Sequence, residues 1–387
     1  MSAPVAELAA RAEARTAEIL ADIEALVRCE TGSYDLPGLA EGLQLLHDLV
    51  GSRLGPATSQ GRHQGGELGD TATLTFVGST STHVALVGHY DTVWPRGILA
   101  EWEPTSFADP TGRTRLTAPG VFDMKTGLVQ GIWALKLLRE SGAKVPTVTF
   151  VLNGDEEVGS LSSRPVIERV GSTADATLVL EPSSEGAVKT GRKGIGIFDV
   201  TATGIESHAG LDPDAGASAI HALAEFVGKA VATADLSVGT TVNAGVISGG
   251  TGTNVVAGRA TARFDIRVGT ASEQARVDAA FDAITVTDPR VRIDVTHGWN
   301  RPPMTLTEAS APLLSVAREV ARELGQDLRD VSVGGASDAN FVAGLGKPVL
   351  CGLGAVGAHP HHRDEFIYPD TVAHQTSLVA GLLGRLA

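Results

Sequence analysis

Short apolar runs alternate with a helical pattern between residues 83 and 183. HVALV at 83–87, TVTFVL at 147–152 and ATLVL at 176–180 are bounded by turn residues and have the length of buried strands. The stretch 124–140 repeats apolar residues at helical spacing. The residues on its apolar face are Leu128, Ile132, Leu135 and Leu138. Strands that alternate with a helix in this way predict a mostly parallel sheet covered by helices, which is the α/β class.

The order of elements changes between about 194 and 300. The pattern there predicts a strand, a helix, two strands, a second helix and a last strand, and this β-α-β-β-α-β order is typical of a ferredoxin-like domain. Beyond residue 303 the chain returns to α/β character. We therefore predict a doubly wound α/β domain formed by residues 1–192 and 303–387, with a small α+β domain inserted at 193–302.

Composition and charge narrow the range of partners. The 387 residues have the balance of apolar and charged side chains of a globular protein, and the formal net charge is −14. Because this charge repels phosphate backbones and anionic lipid surfaces, we expect neither nucleic acid nor a membrane as a partner.

The first thirty residues lack the basic and apolar pattern of a secretory signal, and no apolar stretch is long enough to predict a membrane span. We therefore expect a cytoplasmic protein.

Acidic and imidazole residues directly follow the predicted strands. His89 and Asp91 follow the first strand, Asp-Glu-Glu at 155–157 follows the second, and Glu181 follows the third. The carboxyl ends of parallel strands meet at one edge of the sheet, so these side chains are expected to converge. Carboxylates crowded into one crevice repel each other unless a cation is present, and the two cysteines are too few for a thiolate site. This set fits zinc in a hydrolytic site, and manganese or cobalt would also accept it.

Six segments resemble the successive signatures of one enzyme family. They are GHYDTV at 88–93, APGVFDMKTG at 118–127, NGDEEVGS at 153–160, LEPSS at 180–184, ESHAG at 206–210 and RFDIR at 263–267. Their order and spacing resemble those of the aminoacylase, succinyl-diaminopimelate desuccinylase and glutamate carboxypeptidase family of co-catalytic zinc hydrolases. The resemblance spans about 83–370. It implies a zinc site at the carboxyl ends of the strands and an inserted lid or dimerisation domain.

The resemblance implies five metal ligands. His89, Asp123 and Glu181 would hold one zinc ion, while Glu157, His361 and again Asp123 would hold the other. Asp123 would therefore bridge the two ions.

Two further residues at this site resemble catalytic residues of the family. Glu156 resembles the general base, whereas its neighbour Glu157 resembles a metal ligand. The two roles need separate residues, because a carboxylate used on the metal cannot also take the proton of the attacking water. In the His89-Tyr90-Asp91 spacing, Asp91 would accept a proton from the far ring nitrogen of His89 and fix its tautomer. No serine or cysteine nucleophile is required, so no covalent intermediate is expected.

The histidine ligand near the C-terminus has three candidates, His359, His361 and His362. In relatives the ligand follows the proline of a KPV-like strand by about the interval from Pro348 to His361, and it precedes an acidic residue resembling Glu365. Spacing therefore favours His361, and His359 is the main alternative.

The inserted domain carries three residues that resemble substrate-contacting residues of the family. His208 would reach the active site of a partner subunit and stabilise the oxyanion of the tetrahedral intermediate, although it could instead be a surface histidine. Asn254 and Arg267 would hold the free carboxylate of the substrate, although Arg267 could instead form a salt bridge along its strand. The glycine-rich segment 334–338 would add backbone N–H groups, with Asp338 capping the next helix.

We therefore expect a two-domain metallohydrolase that cleaves an amide bond next to a carboxylate-bearing residue, and that resembles glutamate carboxypeptidases most. The resemblance also implies two divalent ions, a peptide or N-acyl amino acid substrate and a homodimer. An N-acyl amino acid deacylase is the alternative enzyme, since it would use the same ions and the same base. A catalytically silent homologue that only binds ligands is the alternative from another class.

Overall fold

The computed structural model of the protein describes residues 4–387, which divide into two compact units. The first unit comprises the chain up to Thr190 together with Leu306–Ser332 and Ser337–Ala387. The second comprises Gly191–Thr305 and Val333–Ala336. Within residues 4–387, none of the helices combines the length and the apolar character that crossing a membrane requires.

Three helices and then five strands come first, and from α4 onward successive helices are separated by one to three strands. The helices are α1 Val5–Ala14, α2 Thr16–Val27, α3 Leu36–Leu54, α4 Thr126–Glu140, α5 Arg164–Thr173, α6 Ala219–Val231, α7 Ala271–Asp282, α8 Ala311–Glu323, α9 Ala339–Gly344 and α10 Val372–Leu386. The strands are β1 Ser59–His63, β2 Thr71–Phe76, β3 His83–His89, β4 Thr105–Ala108, β5 Thr114–Thr117, β6 Thr147–Asn153, β7 Ala176–Val179, β8 Val188–Arg192, β9 Gly194–Thr203, β10 Thr241–Gly249, β11 Arg259–Val268, β12 Arg292–Thr296, β13 Trp299–Arg301, β14 Asp330–Val333, β15 Val349–Cys351, β16 Gly357–Ala358 and β17 Phe366–Ile367.

The first unit is built on an eight-stranded sheet in the order β1-β2-β6-β3-β7-β15-β8-β14. Its centre is parallel, because β3 pairs in parallel with β6 and β7, and β7 does so with β15. Strands β1, β2 and β8 add antiparallel pairs toward the edges. The predicted α/β fold is confirmed, and the parallel centre brings the carboxyl ends of β3, β6 and β7 to one edge.

Helix α4 is largely buried beside this sheet. The four apolar residues of its predicted face are at most 1% exposed. The helix packs against β3 and also against α10, α1, α2 and α3, so residues beyond the predicted face are buried too. A second group of helices, α5 and α9, contacts β3, β6 and β15. The start of α4 lies against the chain that follows β7, because a Cβ at Gly127 would lie 2.0 Å from the backbone oxygen of Leu180.

The second unit has an antiparallel sheet in the order β10-β11-β9-β12, and β13 also pairs with β9. Its elements follow the predicted β-α-β-β-α-β order. Four phenylalanines, Phe198, Phe226, Phe264 and Phe281, meet edge to face in the core between the sheet and its helices. Strand β10 pairs with β11 on one side and forms an edge of the sheet.

A small antiparallel sheet of the first unit, in the order β16-β17-β5-β4, connects distant parts of the chain. Phe366 of β17 lies opposite Thr117 of β5. The hydroxyl of Thr117 donates to the backbone oxygen of Glu365 at 2.7 Å. This pairing places the segment that contains His361 and Glu365 beside the turn that leads from β5 into α4.

Candidate metal centre

His89 is the last residue of β3, and it is 1% exposed. Its Nε2 lies 3.2 Å from Oδ1 of Asp123 and 3.9 Å from Oε1 of Glu181. Its Nδ1 lies 3.0 Å from the backbone oxygen of Asp91 and 3.4 Å from the Oδ1 atom of that residue. The closer acceptor is the carbonyl, so the main chain at Asp91 orients the ring and turns Nε2 toward the carboxylates.

The carboxylate of Asp91 binds the turn after β6. Oδ1 accepts the backbone N–H of Glu156 at 3.1 Å, and Oδ2 accepts that of Glu157 at 3.2 Å. Oδ2 also accepts the hydroxyl of Ser33 at 2.8 Å. Because Asp91 is fully buried, these charge-assisted bonds are strong and hold both glutamates in place. Nothing in the sequence pattern pointed to Ser33, whose partner lies 58 residues away.

Asp123 lies in the irregular helical turn Val121–Lys125 that leads into α4, and the peptide bond to Met124 is cis. Its two carboxylate oxygens face different histidines. Oδ1 lies 3.2 Å from Nε2 of His89, and Oδ2 lies 3.5 Å from Nε2 of His361. A carboxylate in this position can offer one oxygen to each of two neighbouring cations.

Glu157 and His361 form the second half of the cluster. Nε2 of His361 lies 3.0 Å from Oε2 of Glu157. The other oxygen of Glu157, Oε1, is buried and has no hydrogen-bond partner within residues 4–387. The ring of His359 instead packs 5.8 Å from that of Phe366, so of the two histidines it is His361 that meets the carboxylates.

The protonation of these groups reflects their mutual attraction. Burial opposes ionisation of Asp123, but its hydrogen bonds with His361 and His89 hold the pKa of its carboxyl well below the usual range. Hydrogen bonds to Asp123 and Glu157 raise the pKa of His361 to about 10. Burial disfavours the charged form of His89, yet its bonds to Asp123 and Asp91 raise its pKa well above the ordinary value. Burial raises the pKa of Glu157 to about 7.

The residues present fit divalent cations. One ligand atom from each of His89, Asp123 and Glu157 can be chosen so that all lie within 4.8 Å of one another. The unpaired Oε1 of Glu157 is a costly group to bury without a partner, and a cation would satisfy it. The chemistry of imidazoles and carboxylates without thiolates suits zinc, manganese or cobalt.

The residues of this cluster lie in the part of the chain that is similar to known proteins. The profile of peptidase family M20/M25/M40 matches residues 85–385. Carboxypeptidase G2 from Pseudomonas sp. (strain RS-16) is 30% identical over 366 residues, which are 92% of this chain and 85% of that protein. The chain belongs to peptidase family M20/M25/M40. This result confirms the family resemblance of the sequence motifs, and it makes the M20 chain a hydrolase of peptide or acyl amide bonds.

Two further relatives of the M20 chain differ in what their names describe. Succinyl-diaminopimelate desuccinylase from Dechloromonas aromatica is 28% identical over 325 residues, covering 80% of this chain and 85% of that protein. The crystal structure of aminopeptidase PepT from Bacillus cereus superposes with a TM-score of 0.75 over 96% of this chain and 98% of that chain. Its 22% identity supports the shared fold alone.

Three predicted residues of the M20 chain, His208, Asn254 and Arg267, lie in the second unit. The segments of His208 and Asn254 are adjacent, since Ala209 donates its backbone N–H to the oxygen of Asn254 at 2.9 Å. Nδ1 of His208 accepts two backbone N–H groups at 3.1 Å. The guanidinium of Arg267 forms two hydrogen bonds with Asp265 on the same strand, at 2.9 and 3.0 Å.

The prediction that Asp338 caps helix α9 is wrong. Its side chain makes no capping hydrogen bond, because its backbone is already helical, with φ −63° and ψ −19°. It accepts instead from Ser160 at 2.5 Å and from Asn153 at 2.9 Å. The side chain near the start of α9 that accepts a backbone N–H is that of Ser337, whose hydroxyl oxygen accepts from Ala339 at 3.2 Å. Asp338 therefore joins the start of α9 to the turn that carries the paired glutamates.

Proposed function

We propose that this M20 hydrolase is a carboxypeptidase-type enzyme that uses two divalent ions to release a carboxylate-bearing amino acid from a peptide or acyl compound. The observation that carries the proposal is the convergence of His89, Asp123, Glu157 and His361 at the edge where the central strands end. Glu156 lies in the same short turn as Glu157. The 30% sequence identity with Carboxypeptidase G2, over most of both chains, supports the proposal that the bond cleaved is the one to a carboxylate-bearing amino acid.

The proposed ligands divide into two sets that share Asp123. His89, Asp123 and Glu181 would hold one ion, and Glu157, His361 and Asp123 the other. Bound there, the two ions would polarise the scissile carbonyl and lower the pKa of the attacking water. Zinc is the expected metal, and manganese and cobalt suit the same ligands.

Glu156 is the proposed general base. The carboxylate of Asp91 accepts the backbone N–H of Glu156. The main chain from which the Glu156 side chain extends is therefore fixed beside the proposed ligand Glu157. Glu156 would take the proton of the attacking water and deliver it to the leaving amine nitrogen. The peptide bond breaks as the amine leaves, and the water oxygen remains on the carbonyl carbon. No covalent bond to the protein forms.

Asn254 and Arg267 are the proposed partners of the substrate carboxylate. Arg267 is paired with Asp265 in the structure, so binding a substrate carboxylate requires it to exchange or share that partner. The planar guanidinium suits such a bidentate contact. The desuccinylase relatives favour a second candidate, an N-acyl amino acid deacylase, because their name describes the removal of a succinyl group from succinyl-diaminopimelate.

Metal analysis followed by a substrate panel on the same sample tests the proposal. We expect about two equivalents of divalent metal per chain, and faster turnover of folyl-glutamate and of dipeptides than of N-acetyl or N-succinyl amino acids. Preferential turnover of the acylated compounds would replace the first candidate by the deacylase. Binding without hydrolysis across the whole panel, with metal loaded, would instead indicate the silent homologue.

We also propose a homodimer formed through the second unit. The supporting observation is the exposed edge strand β10, whose Val246 and Ile247 are 61% and 62% exposed. Natural proteins rarely leave such an apolar edge open. Light scattering is expected to give twice the chain mass of 39.9 kDa, and a single-chain mass at micromolar concentration would reject the dimer.

Replacing His208 with Ala is expected to lower kcat while metal content stays unchanged. The imidazole is assigned to the oxyanion, and loss of one such donor typically costs about 10²–10³-fold in kcat. Steady-state kinetics with metal analysis of the same sample provides the measurement. His221→Ala on the exposed part of α6 is a matched control that should retain wild-type kinetics. Equal kinetics for His208→Ala and wild type would remove His208 from the mechanism.

A further inference from the structure

Glu365 is a buried carboxylate that the ligand assignment leaves without a role. It lies four residues after His361 and directly before β17, and it is 1% exposed. Its backbone N–H donates to the oxygen of His362 at 2.9 Å, and its own backbone oxygen accepts from Thr117 at 2.7 Å. The main chain at Glu365 is therefore fixed both to the His361 segment and to β5.

The side chain of Glu365 spans from this position to the turn that carries Asp123. Oε1 accepts the backbone N–H groups of Phe122 at 2.8 Å and of Asp123 at 3.0 Å. Oε2 accepts the backbone N–H of Gly120 at 3.2 Å and the indole N–H of Trp94 at 3.3 Å. All four partners are donors, so both oxygens act as acceptors, which is the behaviour of an ionised carboxylate. Burial raises the pKa of the carboxyl to about 7, and the three backbone N–H groups oppose that shift.

The turn is shaped to present these N–H groups. Gly120 has φ 68°, in the left-handed region, and a Cβ there would lie 2.6 Å from Cγ2 of Thr92. Glycine is thus required on both conformational and steric grounds. Backbone N–H groups that converge in this way form an anion-binding concavity. In this chain the anion is the side chain of Glu365, which comes from a segment 242 residues further along.

We propose that Glu365 is a positioning residue that ties the main chain of Asp123 to the His361 segment, so that both ligands are in place before an ion binds. This inference rests on the proposed function, which makes Asp123 and His361 metal ligands. Ligands that are held in advance lose less conformational freedom on binding. The metal affinity of the protein therefore depends on Glu365, although Glu365 does not contact the ions.

Glu365→Gln tests this role. The amide NH₂ of glutamine would face N–H donors on one side, so that side of the turn loses its acceptor. We expect the affinity for Zn²⁺ to fall about 10–100-fold, the usual effect of losing a group that supports a metal ligand. Competition with a chromophoric chelator measures the affinity, and the visible spectrum of the Co²⁺-loaded protein reports on ligand geometry. Both readouts are independent of turnover.

Asp364→Asn is the matched control. It removes the same charge from the neighbouring residue, whose side chain is 77% exposed, and should leave Zn²⁺ affinity and the Co²⁺ spectrum at wild-type values. Glu365→Asp is the second variant. It keeps the charge but shortens the side chain, so a smaller loss of affinity is expected, and this measurement decides the question if Glu365→Gln does not fold.

Three outcomes would overturn the inference. One is wild-type affinity in folded Glu365→Gln or Glu365→Asp. Another is an equal loss in Asp364→Asn. The third is a lowered melting temperature of the metal-free variant with unchanged affinity of its folded form, which would mean a role in stability alone. Failure of the wild-type protein to bind any of Zn²⁺, Mn²⁺ and Co²⁺ would instead reject the proposed function itself, so the two failures are distinguishable.

Discussion

Replacing Glu156 with Gln is expected to lower kcat by about 10²–10⁴-fold, the range for loss of a positioned general base. The amide has the size of the carboxylate but cannot take the proton of the attacking water. Metal content should stay at the wild-type value, because Glu156 is assigned to proton transfer and Glu157 to the ions. Its backbone N–H also keeps its bond to Asp91, so the turn is retained.

The measurement pairs steady-state kinetics with metal analysis of the same sample. Glu319→Gln, which removes the same charge from an exposed position on α8, serves as the control and should retain full activity. If Glu156→Gln kept most of the wild-type activity, the base would have to be another group. A loss of metal in this variant would make Glu156 a ligand and would remove the proposed division between the two glutamates.

Replacing Asp123 with Asn is expected to abolish both metal binding and turnover. One oxygen of Asp123 faces His89 and the other faces His361, and an asparagine can offer only one uncharged oxygen. We expect the affinity for the bound ions to fall by at least about 100-fold, more than for the loss of a group that only supports a ligand. Equilibrium dialysis against buffered Zn²⁺, followed by elemental analysis, measures this loss.

The two acid-to-amide changes are therefore distinguished by metal content. Glu156→Gln keeps metal and loses turnover, while Asp123→Asn loses both. Both ions retained at wild-type affinity in Asp123→Asn would contradict the bridging assignment. Excess Zn²⁺ should not restore full activity to Glu156→Gln, since its defect does not lie in metal binding.

The convergence of the site at the strand ends could be predicted because it depends on local pattern and a general rule of parallel sheets. Apolar runs identify β3, β6 and β7, and parallel pairing brings the residues after these strands to one edge of the sheet. His89, Glu157 and Glu181 could therefore be grouped from the sequence alone. Asp123 and His361 do not follow these strands directly, and only family motifs and spacing pointed to them.

The supporting contacts could not be predicted, because they depend on which distant segments pack together. An aspartate before a helix normally predicts a cap, but Asp338 accepts from Ser160, 178 residues away. The sequence predicts that the carboxylate of Asp91 accepts a hydrogen bond from the imidazole of His89. In the structure it mainly accepts backbone N–H groups of the turn after β6. Glu365 was visible only as an acidic residue after a ligand, and nothing local indicated its N–H partners.

The two histidines of the cluster differ sharply in their access to solvent. The side chain of His89 is 1% exposed, whereas that of His361 is 52% exposed on a segment outside the main sheet. On the proposed assignment, we expect the ion on the His361 side to exchange faster than the ion on the His89 side. Brief chelation should therefore remove the ion on the His361 side first. Refilling that position with Co²⁺ would give an enzyme that holds two different metals.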